Sequence, residues 1–231
     1  MSAGELVLEL PGGGHALFTE RSHGNMSSVG GDHAEHAQAA RERLRTSIGV
    51  EQLVRGYQEH GTLVRRVRAL PREEQSAQAQ AQGPRADGQA TALGDVGVMV
   101  LAADCLPVAL GCEGAVAMVH AGWRGLAAGV LEQGVLALRE LAGDAPIVAI
   151  VGPCAGACCY EVGREVHEAF GGACSEAGNI DLRTIAHERL LTAGVGHVRD
   201  VQACTICDER FFSYRREGAR AGRQVGVAWL S

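Results

Sequence analysis

A chain of 231 residues with 46% apolar content can bury one large core or two small ones, and aromatics at 4% leave Val, Leu, Ala and Ile to build it. The formal net charge is -6 and all 21 basic residues are Arg, so the sequence lacks the broad basic field that a nucleic-acid partner requires. No apolar run approaches the ~20 residues that span a bilayer, and Glu5 and Glu9 in the first apolar stretch argue against a secretory signal, so a cytoplasmic protein with its eight cysteines reduced and no membrane partner is expected.

Glu5 to Leu10 alternates as a strand does, Pro11-Gly12-Gly13-Gly14 ends it, and His15 to Thr19 supplies the second arm of an opening hairpin. A Gly- and Ser-rich loop from Ser22 to Gly31 leads to Asp32, a candidate cap for a helix over Ala34 to Ile48 that carries Arg41 and Arg45 one turn apart. Tyr57-Gln58-Glu59-His60-Gly61 reads as a loop or strand end ahead of a strand at Thr62-Leu63-Val64, and Pro71 to Pro84, without apolar periodicity, as a further loop.

The stretch Val98 to Gly125 organises the rest. Leu106 to Leu110 and Ala115 to Val119 are strand-length apolar runs joined by the hairpin insert Gly111-Cys112-Glu113-Gly114. If Leu110 pairs with Ala115, Cys105 falls opposite His120, within reach of one metal ion or one hydrogen bond. The chain then passes Gly122-Trp123-Arg124-Gly125 into a helix carrying Leu131, Val135 and Leu138, whose N-terminus beside Arg124 favours anions.

Beyond it, Ile147 to Val151 is a buried strand, and Gly152 to Tyr160 is a turn of small residues and cysteines. A helix with Val162, Val166 and Phe170 on one face follows, then a helix capped by Asp181 and stopped near Gly194. His197 to Cys204 and Gln224 to Leu230 read as the last strands. This interleaving predicts an α/β (or α+β) fold, a single-domain mixed-sheet sandwich over 1–231, flanked by helices and without an internal repeat. Oligomeric state leaves no mark in the sequence.

Two His and one Cys around an open fourth position form a ligand set typical of catalytic zinc. Spacing alone offers Cys105 and His120, which can equally be an inert buried pair. His33-Ala34-Glu35 with Pro153-Cys154 fails the zinc deaminase pattern, because the next cysteine, Cys158, lies one residue too far. Cys204-Thr205-Ile206-Cys207 has the spacing of a redox or zinc pair, but no second pair of matching spacing accompanies it. Nine histidines without a His-x-His pair are few for a multicopper oxidase.

Several motifs carry a wider resemblance: Ala103-Asp104-Cys105-Leu106-Pro107-Val108, His120-Ala121-Gly122-Trp123-Arg124-Gly125, Cys158-Cys159-Tyr160-Glu161-Val162-Gly163, Cys204-Thr205, and Phe211-Phe212-Ser213-Tyr214-Arg215-Arg216 with Gly222-Arg223. With Gln58-Glu59-His60-Gly61 and the Asp87 to Thr91 pair, the chain resembles over nearly its whole length the YfiH-like family. That family has been labelled multicopper polyphenol oxidase, or laccase-like, and is also described as purine nucleoside phosphorylases. The resemblance implies a mixed α/β sandwich and His60, Cys105 and His120 as zinc ligands. It further implies phosphorolysis of adenosine, inosine, guanosine or methylthioadenosine, deamination of adenosine, and a peptidoglycan-editing role for bacterial members.

The partners so implied are a purine nucleoside and inorganic phosphate, with Zn2+ as cofactor in preference to copper. Arg41 is the first candidate for phosphate charge and Gln58 a positioning group beside His60. The sequence departs from the family at Ala40-Arg41, where an Asn-Arg pair is usual, and at His23-Gly24-Asn25-Met26-Ser27, in place of a Gly-Gly-x-Ser loop. The alternatives are a Cys-His hydrolase or amidase acting on peptidoglycan precursors, with Cys105 as nucleophile and His120 as base, a copper-dependent polyphenol oxidase, and a metal-stabilised binding module.

Overall fold

The computed structural model describes residues 7–70, 84–172 and 177–231. The loop expected from Pro71 to Pro84 lies outside the described residues apart from its last position, as do Cys174 and the start of the first predicted strand.

In chain order the elements are β1 (Leu8–Leu10), β2 (Gly14–Phe18), α1 (Ala37–Ser47), β3 (Gln52–Val54), β4 (Val64–Val67), β5 (Gly88–Thr91) and β6 (Val96–Ala102). Then come β7 (Leu106–Cys112), β8 (Ala115–Ala121), α2 (Trp123–Ala128), α3 (Val130–Ala142) and β9 (Val148–Val151). The rest are β10 (Glu161–Val162), α4 (Arg164–Ala169), β11 (Gly178–Asn179), α5 (Leu182–Thr192), β12 (His197–Asp200), α6 (Tyr214–Glu217) and β13 (Gln224–Leu230).

The strands form a five-stranded sheet ordered β1-β2-β13-β6-β3, a six-stranded sheet ordered β12-β9-β7-β8-β5-β4, and a small β10-β11 ribbon. Both large sheets are mixed, since β3 runs parallel to β6, β4 to β5 and β12 to β9 while the remaining pairs are antiparallel. The result is the expected mixed α/β sandwich flanked by helices.

Side-chain alternation explains the long apolar runs. In β8, Val116 and Met118 enter the layer between the sheets with Val98 and Val100 of β6, whereas Ala115, Ala117 and Val119 face the helices with Leu131, Val135 and Leu138 of α3. A third layer packs Leu17, Met99, Val225 and Val227 against Ala40 and Leu44 of α1. Strands covered on both faces need no polar side, so the sequence reads as unbroken hydrophobic stretches. Among the described residues no helix is long and apolar enough to cross a membrane.

Several predicted elements move. The central hairpin turns on Glu113-Gly114 with Cys112 opposite Ala115, so Leu110 faces Ala117 and Pro107, not Cys105, faces His120. The two-residue turn, with Gly114 at φ 80°, lengthens both strands. Because the shift is two residues and the side-chain period is two, every side chain keeps its expected face. Ala34–His36 is a 3-10 turn whose cap is His33 in a left-handed conformation rather than Asp32, and α1 starts only at Ala37.

The helix after the hairpin begins at Trp123 and is broken at Gly129, φ 97°, into α2 and α3. Val162 lies in the β10 ribbon, opposite Gly178, rather than on a helix face with Val166. The strand expected over His197 to Cys204 stops at Asp200, whose carboxylate accepts from the Gln202 N–H while Gln202 turns to φ 55°. Asp181 caps α5 as predicted, accepting from the N–H groups of Arg183 and Thr184 at 3.0 and 3.1 Å.

Candidate active site

His120 is the penultimate residue of β8, with the parity of Val116 and Met118, so it points between the sheets. Cys105 precedes β7 at the same edge, after Asp104 at φ 92°. His60 reaches them from the loop before β4. The ligand atoms of the three lie within 4.8 Å of one another. His60 Nε2 is 3.7 Å from Cys105 Sγ, and the two imidazoles cross at 75° with centroids 4.9 Å apart.

This geometry fits a metal. Zinc–nitrogen and zinc–sulfur bonds at a tetrahedral angle set the two atoms roughly 3.6 Å apart. Gly122 makes the cradle possible, since a Cβ there would stand 2.4 Å from His60 Cδ2 and 3.3 Å from Cys105 Sγ.

Asp87 holds the cluster from behind. Its buried carboxylate accepts from His120 Nδ1 at 2.8 Å, from His60 N at 2.9 Å, from Gly61 N at 2.8 Å and from Glu59 N at 3.1 Å. These bonds orient the His120 ring with Nε2 toward the other ligands and hold His60 at φ 60°, a conformation uncommon outside glycine. The Asp87 to Thr91 pair was visible in the sequence without a role. Thr91 proves to be a strand clamp, its hydroxyl donating to Val67 O at 3.0 Å.

Burial pushes the Cys105 thiol up, but electrostatic attraction and hydrogen bonds, from His120 first and then His60, outweigh this and bring it down to about 6. His120 moves oppositely: burial lowers it, and the Cys105 thiolate and Asp87 raise it to about 9. Cysteine and histidine therefore each favour the charged form of the other. Asp87 is held below the usual carboxylate range, its bonds from His120 and the loop N–H groups outweighing desolvation.

The cluster forms one wall of a cavity of about 530 Å³. Ser27, Ser28, Arg55 and Arg223 line the same cavity, with aromatic surface from Tyr57, Tyr160 and Tyr214. Asn25 builds the anion-friendly wall, because its Oδ1 accepts from both Ser27 N and Arg223 N at 2.9 Å and so joins two distant segments. Arg41 stands behind it. Its Nη1 donates to Met26 O at 2.6 Å, and it is absent from the described residues lining the cavity. Burial and the neighbouring charge of Arg55 both lower the Arg41 pKa, so two guanidiniums sit side by side here.

Gln58 lines the cavity, but its side-chain amide is engaged with Leu101, donating to its O and accepting from its N, both at 2.8 Å. It thereby fastens the His60 loop to the end of β6. Arg124 lies over the Trp123 ring, 4.1 Å from its centroid, and is not among the lining residues. No sequence signal marks Arg55, whereas Arg223 is marked by the Gly222-Arg223 match.

Comparison with known proteins supplies the family and the fold. The model of the family described as multi-copper polyphenol oxidoreductase laccase matches residues 13–231. A protein of Xylella fastidiosa named purine nucleoside phosphorylase is 38% identical, over 95% of this chain and 88% of its own. The Escherichia coli protein named purine nucleoside phosphorylase YfiH is 34% identical, over 89% and 86%. Among solved structures, the Neisseria meningitidis protein NMB0706 superposes with a TM-score of 0.83 at 32% identity, covering 98% of this chain and 99% of its own.

Proposed function

The chain belongs to the YfiH-like, laccase-like family, and from that premise we propose that it is a zinc-dependent purine nucleoside phosphorylase acting as one domain over residues 1–231. The observation that carries this reading is the meeting, in one cavity, of a His-Cys-His cluster with an arginine- and serine-lined wall. Relatives that carry the phosphorylase name support it.

In phosphorolysis a phosphate oxygen forms a bond to the anomeric carbon of the ribose as the bond to the purine nitrogen breaks. The purine leaves with the electron pair and gains a proton, yielding free base and ribose 1-phosphate. Arg55 and Arg223, with the Ser27 and Ser28 segment, hold the phosphate by charge-assisted hydrogen bonds and aim it. Arg41 acts from behind by fixing Met26 and adding positive potential. Tyr160 and Tyr57 offer flat surfaces for the base, and Gln58 keeps the His60 loop in register. His60, Cys105 and His120 would hold zinc, which when bound supplies Lewis-acid stabilisation of developing negative charge. Deamination of adenosine in the same cavity is a companion activity under this reading.

A second reading has its own observation. Cys105, His120 and Asp87 also stand in the thiol–imidazole–carboxylate order of a nucleophilic hydrolase. Chromatography of the products formed from adenosine separates the outcomes. Adenine and ribose 1-phosphate that form only with phosphate, and disappear in Cys105→Ala, uphold phosphorolysis; inosine formed without phosphate makes the enzyme a deaminase first. If metal-replete protein gives neither, the purine reading fails and amide substrates become the next to try.

A further inference from the structure

Away from the cavity cluster, the parallel pairing of β9 with β12 carries two cysteine-bearing turns to one place. Cys158 and Cys159 lie in the turn after β9, and Cys204 and Cys207 in the turn after β12, and an isolated parallel backbone pairing of Cys154 with Cys204 joins the two segments. The four sulfurs all lie within 4.8 Å of one another. Cys158 Sγ is 3.5 Å from both Cys159 Sγ and Cys207 Sγ, and Cys159 Sγ is 2.7 Å from Cys207 Sγ. We propose that Cys158, Cys159, Cys204 and Cys207 bind a structural zinc ion distinct from the one at the cavity.

Three features support four ligands acting together. The backbone N–H groups of Gly156, Ile206 and Cys207 all point at Cys204 Sγ, that of Gly156 at 3.3 Å, the arrangement that stabilises a thiolate in a Cys-x-x-Cys turn. Gly156 eases the approach, since a Cβ there would meet Cys204 Cβ at 3.2 Å and Cys158 Sγ at 3.4 Å. Four thiolates with no residue type other than cysteine would make a closed four-coordinate set once an ion spread Cys159 and Cys207 from 2.7 Å to the roughly 3.8 Å between sulfurs of a tetrahedral site, which suits zinc in a structural rather than a catalytic role. A Cys159–Cys207 disulfide is the competing arrangement. It would use two of the sulfurs and leave the inward aim of Cys158 and Cys204 without a cause.

The ion would hold the cavity wall in place. Thr205, between the two cysteines, donates from Oγ1 to Asp104 Oδ1 at 2.7 Å, and Asp104 Oδ2 accepts from Arg215 N at 2.7 Å. Asp104 precedes Cys105, and Tyr160, which follows Cys159, lines the cavity. Tying the two turns together therefore fixes both sides of the metal-facing wall without contributing a group to the reaction.

The test is metal analysis of the full chain, purified without chelator. Two zinc ions per chain are expected in the unmodified protein and one in Cys207→Ser and in Cys204→Ser. Should those variants fail to fold, Cys105→Ala answers the same question, because it removes the cavity ligand and leaves the cysteine cluster whole. Loaded with Co2+, it is expected to show the intense charge-transfer absorption of an all-thiolate tetrahedral site, and to lose it on chelation together with a drop in unfolding temperature. Cys105→Ala protein that retains no metal would overturn the proposal. So would a chain lighter by the mass of its lost thiol hydrogens with Cys159 and Cys207 in one disulfide-linked peptide, or iron in place of zinc.

Discussion

The His60, Cys105 and His120 cluster and the Cys158, Cys159, Cys204 and Cys207 cluster are built by opposite means. The first draws its ligands from two strand edges and one loop, places His120 and its partner Asp87 almost wholly out of water, and opens onto a cavity. The second draws its four sulfurs from two turns and leaves Cys158 and Cys207 exposed. A site that does chemistry needs an open coordination position and an orienting outer shell, whereas a site that holds loops together needs neither.

The sharpest way to break this contrast is at the ligands themselves. Cys105→Ala is expected to reduce nucleoside turnover by more than about a hundredfold, beyond the cost of losing an outer-shell partner, with circular dichroism unchanged. Turnover within a fewfold of the unmodified protein would remove Cys105 from the reaction. Asp87→Asn keeps the shape but weakens the hold on His120 and the His60 loop. A loss of roughly 10- to 100-fold in metal affinity or activity is expected, read by competition with a chelator; undiminished affinity would make Asp87 a fold residue only.

The anion wall comes next. Arg55→Met is expected to raise the KM for phosphate by roughly tenfold, the worth of about one charge-assisted hydrogen bond, with a smaller effect on kcat. Arg41→Ala, acting through Met26, should raise the same KM by less. Equal KM values in both variants and the unmodified protein would move phosphate elsewhere.

The smallest effect is a titration. In metal-stripped protein, alkylation of Cys105 is expected to rise through about pH 6, because the thiol is protonated below that value and a thiolate above it. Cys154, pushed up to about 11 by burial, should stay unreacted at neutral pH. A Cys105 midpoint near that of a free thiol, about 8.5, would mean that His120 carries no charge beside it.

The two clusters also differ in how much of them the sequence disclosed. Cys105 and His120 flank a hairpin, and period-two alternation kept them on matching faces even though the register was off by two residues. His60 came only with the family resemblance, because nothing local ties a His-Gly loop to a strand edge far along the chain. The cysteine cluster stayed hidden because Cys158 and Cys159 are adjacent rather than spaced as a pair, and only the β9–β12 pairing brings them to Cys204 and Cys207.

Arg41 shows the converse. Its place on α1 was legible, but the Met26 carbonyl claims its guanidinium, and Arg55, on an irregular segment without a motif, takes the cavity position. Fold was easier to read than site. Alternation and turn residues are local signals, and the layering of two sheets between helices follows from them, whereas cavity walls are made by long-range contacts such as Asn25 to Arg223.

The most direct test is the release of adenine from adenosine by the unmodified protein, followed with and without phosphate, before and after chelation, and again after zinc is returned. Release that needs phosphate, stops on chelation and recovers with zinc is the expected result. Release that persists in metal-stripped protein, or proceeds equally without phosphate, would contradict a cavity in which metal and phosphate act together.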